Sequence, residues 1–254
     1  MQGTKVAGVT HEWDAATYDA LPLPHERWGA RTLERLPLRG DEHVLDAGCG
    51  TGRDTALLLE RLPAGRVTAV DASSTMLERL KSRLGDRLDR VDVIEADLTR
   101  PLPLRAPVDA VFSCAAFHWI ADHQALFDNL AGVTRAHGRI VAECGGEGNI
   151  AKIAAAITNV LGPTSDVWNF AGEAETRERL RRAGFEDVEV SLIPDPARFA
   201  PGEEFETYLA TVVLGSHLDR IPEADRATVV HQVADRLDEP VVDYVRLSFS
   251  GVKA

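Results

Sequence analysis

Three acids in this chain each close a short apolar run. Asp46 follows Val44-Leu45, Asp71 follows Val67 to Val70, and Asp97 closes Asp92 to Leu98. A carboxylate at the carboxyl end of a buried parallel strand faces the crevice where open α/β sheets hold their ligands. After Asp46 comes Ala47-Gly48-Cys49-Gly50-Thr51-Gly52, with glycines on alternate positions, and then a helical apolar run from Thr55 to Leu62. Strand, tight glycine turn and helix in that order leave backbone N–H groups open to a ligand. Glycine is needed because a Cβ would block positive φ and keep the ligand off the main chain. Asp71, ending the second strand, suits a bidentate hold on a ribose diol. Strand-terminal acids also serve as helix caps. Three at corresponding positions point instead to a site.

A second group of chemical side chains follows the fourth apolar run, Val108 to Ser113. Phe117-His118-Trp119-Ile120 sets an imidazole between two aromatics. His118 suits three roles: a cationic hold on a carboxylate, a neutral base, or a donor that only orients its loop. His123, His217 and His231 lack metal-ligand spacing and read as surface residues. Cys49, Cys114 and Cys144 are odd in number, widely spaced and without a C-x-x-C pair, which suggests neither zinc nor a disulfide framework.

The elements that must position these groups read in order. Trp28, Thr32, Leu33 and Leu36 mark a helix face over residues 25–36, stopped by Pro37 and Gly40. Strands ending at Asp46, Asp71, Asp97 and Ser113 alternate with helices that carry Met76, Leu77, Leu80 and Leu84, then Leu126, Phe127, Leu130 and Val133. A fifth strand spans Ile140 to Cys144, with a glycine-rich exit at Gly145, Gly146 and Gly148. Helices over 149–161 and 175–183 lead to a strand at Val188 to Leu192. Two amphipathic helices follow, one on Phe205, Tyr208, Leu209, Val212 and Val213, the other on Ala227 to Leu237. Alternation of Val245, Leu247 and Phe249 with Tyr244, Arg246 and Ser248 then predicts a last strand.

The dinucleotide pattern G-x-G-x-x-G is not met, because the third glycine comes one position early and Arg53 holds its place. With Asp46 leading the loop and Asp71 ending the next strand, the set resembles the class I S-adenosylmethionine (SAM) dependent methyltransferases. The resemblance is specific over roughly residues 40–145. It implies an α/β fold: a seven-stranded, mostly parallel, Rossmann-like sheet with helices on both faces and an antiparallel last strand. The implied organisation is an N-terminal helical cap over 1–40, a SAM-binding core over 41–199, a helical lid over 200–240 and the final strand over 241–254.

By the same resemblance the cofactor is SAM, its product S-adenosylhomocysteine (SAH), and no metal takes part. Asp46, Gly48 and Gly50 would bind it through the loop, and Asp71 with Ala72 through the ribose. Met76, Ala96, Asp97, Leu98 and Cys114 would surround the adenine and its approach, with Asp97 taking the adenine amino group. The segment Trp13-Asp14-Ala15-Ala16-Thr17-Tyr18-Asp19 is of a kind that folds over the cofactor in this family, so Tyr18 joins the cofactor set and Trp13 the substrate set. Phe117 to Ile120 resembles the hydrophobic-polar-Trp stretch of the trans-aconitate and juvenile hormone acid methyltransferase type. That likeness makes His118 the catalytic candidate, Trp119 a pocket wall and Tyr208 a lid contact to substrate. Packing roles are the alternatives for Tyr18, Met76 and Trp119.

Where amino-methylating nucleic-acid enzymes carry an Asn/Asp-Pro-Pro-aromatic motif, this chain has Ser113-Cys114-Ala115-Ala116. A net charge of −12 and a pI near 5.1 also argue against a nucleic-acid surface. Both point to a small-molecule acceptor, with O-methylation of a carboxylate or hydroxyl as the reading. C- or N-methylation, or a SAM-binding cyclase that transfers no methyl, are the alternatives. No apolar run reaches membrane-spanning length and Met1 to Val9 has no signal pattern. The expectation is a cytoplasmic protein, monomer or homodimer, with no nucleic-acid or membrane partner.

Overall fold

Strand pairing begins where the apolar runs are densest. In the computed structural model, which describes residues 24–163 and 168–254, the first two strands β1 (His43–Ala47) and β2 (Arg66–Asp71) pair in parallel. β3 (Val91–Glu95) adds to β2, and β4 (Val108–Cys114) pairs with the other edge of β1. β5 (Thr134–Gly145) continues the parallel order beside β4. β6 (Phe185–Pro194) takes the far edge. The last main strand (Val245–Lys253) slips between β5 and β6, antiparallel to both. Seven strands thus form one sheet, six running one way and the seventh reversed.

The helices close both faces. α1 (His25–Glu34), α2 (Arg53–Arg61) and α3 (Ser74–Leu84) cover one face. There Leu33, Leu58, Leu59, Leu77 and Leu80 pack on Val44, Val67, Phe112 and Val141. α4 (His123–Val133), α5 (Ala151–Leu161) and α6 (Glu173–Arg182) follow in the chain. Leu126, Phe127 and Leu130 of α4 and Leu180 of α6 pack on the opposite face with Val111, Ile140 and Phe249. Strands buried on both sides explain the near-continuous apolar runs of β1 and β4.

Between β6 and the last main strand the chain makes a helical insertion. A two-residue ribbon, β7 (Ala197–Arg198) against β8 (Val241–Val242), ties its two ends together. Within it lie α7 (Glu203–Tyr208), a π-helical turn over Leu209–Val213, α8 (Gly215–Leu218) and α9 (Glu223–Ala234). The insertion has its own core of Phe205, Tyr208, Leu209, Val230 and Val233, which also takes in Ile153 and Ile157 of α5 and Trp28 of α1. The last main strand is β9. Among the described residues no helix is long and apolar enough to cross a membrane.

Candidate active site

Strand order reverses direction at β1, with β2 on one side and β4 on the other, so a crevice opens at their carboxyl ends. The glycine loop lies there. Gly48, Gly50 and Gly52 all have positive φ, at 81°, 51° and 78°. At Gly48 a Cβ would also sit 2.2 Å from the Cβ of Ala116, so no larger residue fits under the β4 loop. That loop is turned by Ala115, a non-glycine residue at φ 59°, whose N–H donates to the Glu143 carbonyl at 2.7 Å. A backbone held in this sparsely populated region is a form of strain found at functional sites.

The acids converge on the loop. Asp71 receives the N–H of Gly50 at 2.8 Å on one carboxylate oxygen and that of Ser73 at 2.9 Å on the other. It therefore fixes the loop that would lie under a cofactor. Asp46 is buried and takes the Thr55 hydroxyl at 2.6 Å. Burial, then the neighbouring Asp54 carboxylate, pushes its carboxyl up to about 8. Asp54, in the first turn of α2, is itself pushed up to about 7 by burial. Its Oδ1 is sealed from solvent without a hydrogen-bond partner among the described residues and lies where a side chain on Gly29 of α1 would have to go. Sequence reasoning missed Asp54, because an acid in a helix's first turn reads as a partner of the helix dipole. Only the packing of α1 reveals its burial.

The remaining cofactor candidates line the rim. Ala72 and Asp97 are exposed, Ala96, Gly48 and Gly50 half-buried, Met76 and Leu98 buried. Asp97 Oδ1 takes both the N–H and the hydroxyl of Thr99, at 2.8 and 2.7 Å, so its side chain holds a turn here. Leu98 enters the sheet core while its carbonyl accepts from Asn129. Cys114 ends β4 half-buried, and burial pushes its thiol well above the ordinary range, so it stays protonated. Trp13 and Tyr18 lie outside the described residues.

On the β5 side, Phe117–Trp119 forms a single 3-10 turn. His118 is buried there, and its Nδ1 accepts the N–H of Gly145 at 3.3 Å. A ring nitrogen that accepts carries no proton, so the neutral ring holds its proton on Nε2. The ring stacks on Phe170, centroids 5.9 Å apart, and leans on Trp119 at 5.3 Å. His123 locks the turn from below through Nε2 to the Phe117 carbonyl, 2.9 Å.

Two expectations of surface position are overturned. His123 and His217 are 2% and 5% exposed, because helix packing covers them; His231 is exposed, as expected. Tyr208 is buried as well. Its hydroxyl meets that of Tyr244 at 2.6 Å and its ring packs on Phe199 at 4.2 Å, inside the insertion's core. These are packing contacts, and a contact of Tyr208 to substrate is left as a proposal.

A charged network escaped the sequence reading altogether. Glu143 of β5 is buried and receives two bonds from Arg31 of α1, at 2.6 and 3.1 Å, and one from buried Arg246 of β9, at 3.2 Å. The Arg246 guanidinium lies 3.8 Å over the Trp28 ring, and the Trp28 indole N–H donates to Asp195 at 2.8 Å. The available signal was a lone Glu inside the apolar run Ile140 to Cys144. Among the described residues no group of three His, Cys, Asp or Glu is placed to hold a metal.

Comparison with known proteins agrees with this geometry. Residues 44–138 match the methyltransferase domain family, a span that runs from β1 into β5. Trans-aconitate 2-methyltransferase of Escherichia coli is 34% identical over 132 residues, 52% of this chain and 50% of that protein. The chain thus matches about half the length of the curated relatives it resembles. Among solved structures, phosphoethanolamine N-methyltransferase 2 of Haemonchus contortus superposes with TM-score 0.61 at 19% identity, over 89% of this chain and 52% of that one. The [4+2]-cyclase SpnF does so with TM-score 0.61 at 19% identity, over 90% and 81%. With its six parallel strands, reversed seventh and glycine loop at the switch point, the chain has the class I, Rossmann-like methyltransferase fold, and its residues 44–138 carry the match to the methyltransferase domain family.

Proposed function

We propose that this protein is a SAM-dependent methyltransferase that O-methylates a small carboxylic acid. The residues of the crevice fit the cofactor. Asp46, Asp54 and Asp71 gather at the glycine loop, and among the described residues no cation is bonded to Asp46 or Asp54. Such a site suits a ligand that brings a positive sulfonium and an ammonium. Asp71 would hold the ribose, and the open rim at Ala72 and Asp97 the adenine. When bound, the cofactor supplies an electrophilic methyl group, and its sulfur leaves as a neutral thioether.

The observation that carries the choice of acceptor is the hydrogen bond from Gly145 to His118 Nδ1. It leaves Nε2–H as a donor rather than a base. A carboxylate is already ionised at neutral pH and loses no proton on methylation, so it needs a donor to aim it. Trp119 and Phe170 would wall the pocket around that donor, and the insertion over 200–240 would close it from above. The net charge of −12 supports a small acceptor over a nucleic acid.

The test is release of SAH from SAM across a panel of small acids and alcohols. His118→Gln retains a donor and keeps much of kcat, whereas His118→Ala raises the acceptor KM. Loss of kcat by about 10²–10⁴-fold in both variants would assign a hydroxyl acceptor with His118 as base. SAM binding without SAH release for any acceptor would favour the cyclase reading.

A further inference from the structure

We infer that His217, on the helical insertion, is a specificity-determining residue, and that the acceptor is a flat, unsaturated or aromatic acid with a second oxygen function at its far end. This rests on the methyltransferase reading above.

The observation is a run of rings joining two histidines from different parts of the chain. His118 stacks on Phe170 at 5.9 Å and 27°, and Phe170 stacks on Trp168 at 5.6 Å and 13°. Trp168 meets His217 at 5.2 Å and also Trp119 at 6.2 Å. Gly145 makes the first contact possible, since a Cβ there would lie 2.8 Å from a carbon of the Phe170 ring. Trp119, Trp168 and Phe170 are half-buried, so aromatic surface is left for a ligand, while the histidines at both ends are buried.

His217 adds an independent signal. Its Nδ1 is buried without a hydrogen-bond partner among the described residues. A buried polar atom left unsatisfied is uncommon and needs an explanation. Burial, then the nearby Arg220 guanidinium, keeps the ring neutral, and a positive neighbour favours an electron-rich oxygen beside it. The rings favour a flat body by offset stacking. A saturated polyacid would bring more charge into this wall than its two imidazoles could pair.

Tryptophan fluorescence in the presence of SAH reads the site directly, with trans-4-hydroxycinnamate, trans-cinnamate and citrate as probes. The expected order is 4-hydroxycinnamate at least tenfold tighter than cinnamate, with citrate weakest. His217→Ala removes the preference between the two flat acids and leaves SAH affinity, measured by calorimetry, unchanged. His217→Leu, which keeps the packing volume, gives the same result should the alanine variant fail to fold. Equal affinity for the two flat acids in the wild type, no binding of either, a preference for citrate, or a preference that survives in both variants would overturn the inference. The expected binding pattern without SAH release from SAM would sink methyl transfer and leave the pocket assignment standing. Methyl transfer with an acceptor KM indifferent to His217→Leu would sink this inference alone.

Discussion

At the scale of single residues, the buried acids give the site a pH dependence with a definite sign. Asp46 and Asp54 titrate at about 8 and about 7 in the folded chain, against 3.8 when exposed. Between those values the folded state holds protons that the unfolded chain has lost. Stability of the unliganded protein therefore falls as pH rises from about 4 towards 8, by up to ~1.4 kcal/mol per pH unit for each group. Urea midpoints measured from about pH 5.5 to pH 8 should decline, and Asp54→Asn should flatten the lower part of that slope. A midpoint that climbs across this window would show that the two acids are ionised without a ligand. Binding of a cation runs the other way, because it draws the acids into their charged forms. SAM affinity should rise with pH over the same range, and SAH, without the sulfonium charge, should show a smaller rise.

At the scale of elements, α1 is fastened to the sheet by charge as well as by apolar packing. Glu143 sits between Arg31 and Arg246, with the Trp28 ring beneath the latter guanidinium. An ion pair of this kind is weak evidence for net stabilisation, but removing one partner strands the others. Glu143→Gln should cost about 3–5 kcal/mol in denaturant unfolding, since it leaves Arg246 charged and buried. A loss below about 1 kcal/mol would mean that water reaches Arg246. The network also bears on the crevice. The Glu143 carbonyl accepts the Ala115 N–H that turns the β4 loop, and Ala115 leads directly to Ala116 over Gly48. Helix, strand end and glycine loop are therefore joined by a continuous set of contacts.

For the whole molecule, the insertion is a packed body that meets the core through α1 and α5. Tyr208 lies in its interior, bonded to Tyr244 just before β9. Tyr208→Ala should destabilise by about 3–5 kcal/mol through the cavity it leaves. Tyr208→Phe removes only the hydroxyl and strands that of Tyr244, for about 1–3 kcal/mol, with SAM affinity kept near wild type. Calorimetric scans of both variants beside SAM titrations test this. A stable Tyr208→Ala variant with a raised acceptor KM would return Tyr208 to the pocket. Trp168 and Phe170 precede α6, and His217 belongs to the insertion. A ligand against these rings would touch both parts at once.

Much of this was legible in the sequence because it depends on local order. An acid, three spaced glycines and a helical run specify a strand–turn–helix whatever surrounds it, and Asp71 again ends a strand, whereas Asp97, expected to end the third, follows the end of β3 by two residues. Alternation in residues 244–252 likewise announced β9. What the alternation could not say is which face meets water. Tyr244, Arg246 and Ser248 are the more polar of the two alternating sets, yet all three are buried, because α1 crosses that side and supplies Glu143 with a second arginine. His123 and His217 misled in the same way: a lone polar residue carries no mark of what will pack over it. Asp54 looked like a helix-dipole acid until Gly29 was brought against it. Short-range pattern determined the loop, the strands and the fold. Burial and charge pairing were decided by contacts between residues more than 100 positions apart, such as Arg31 with Glu143 and Arg246 with Glu143, and no local periodicity records those.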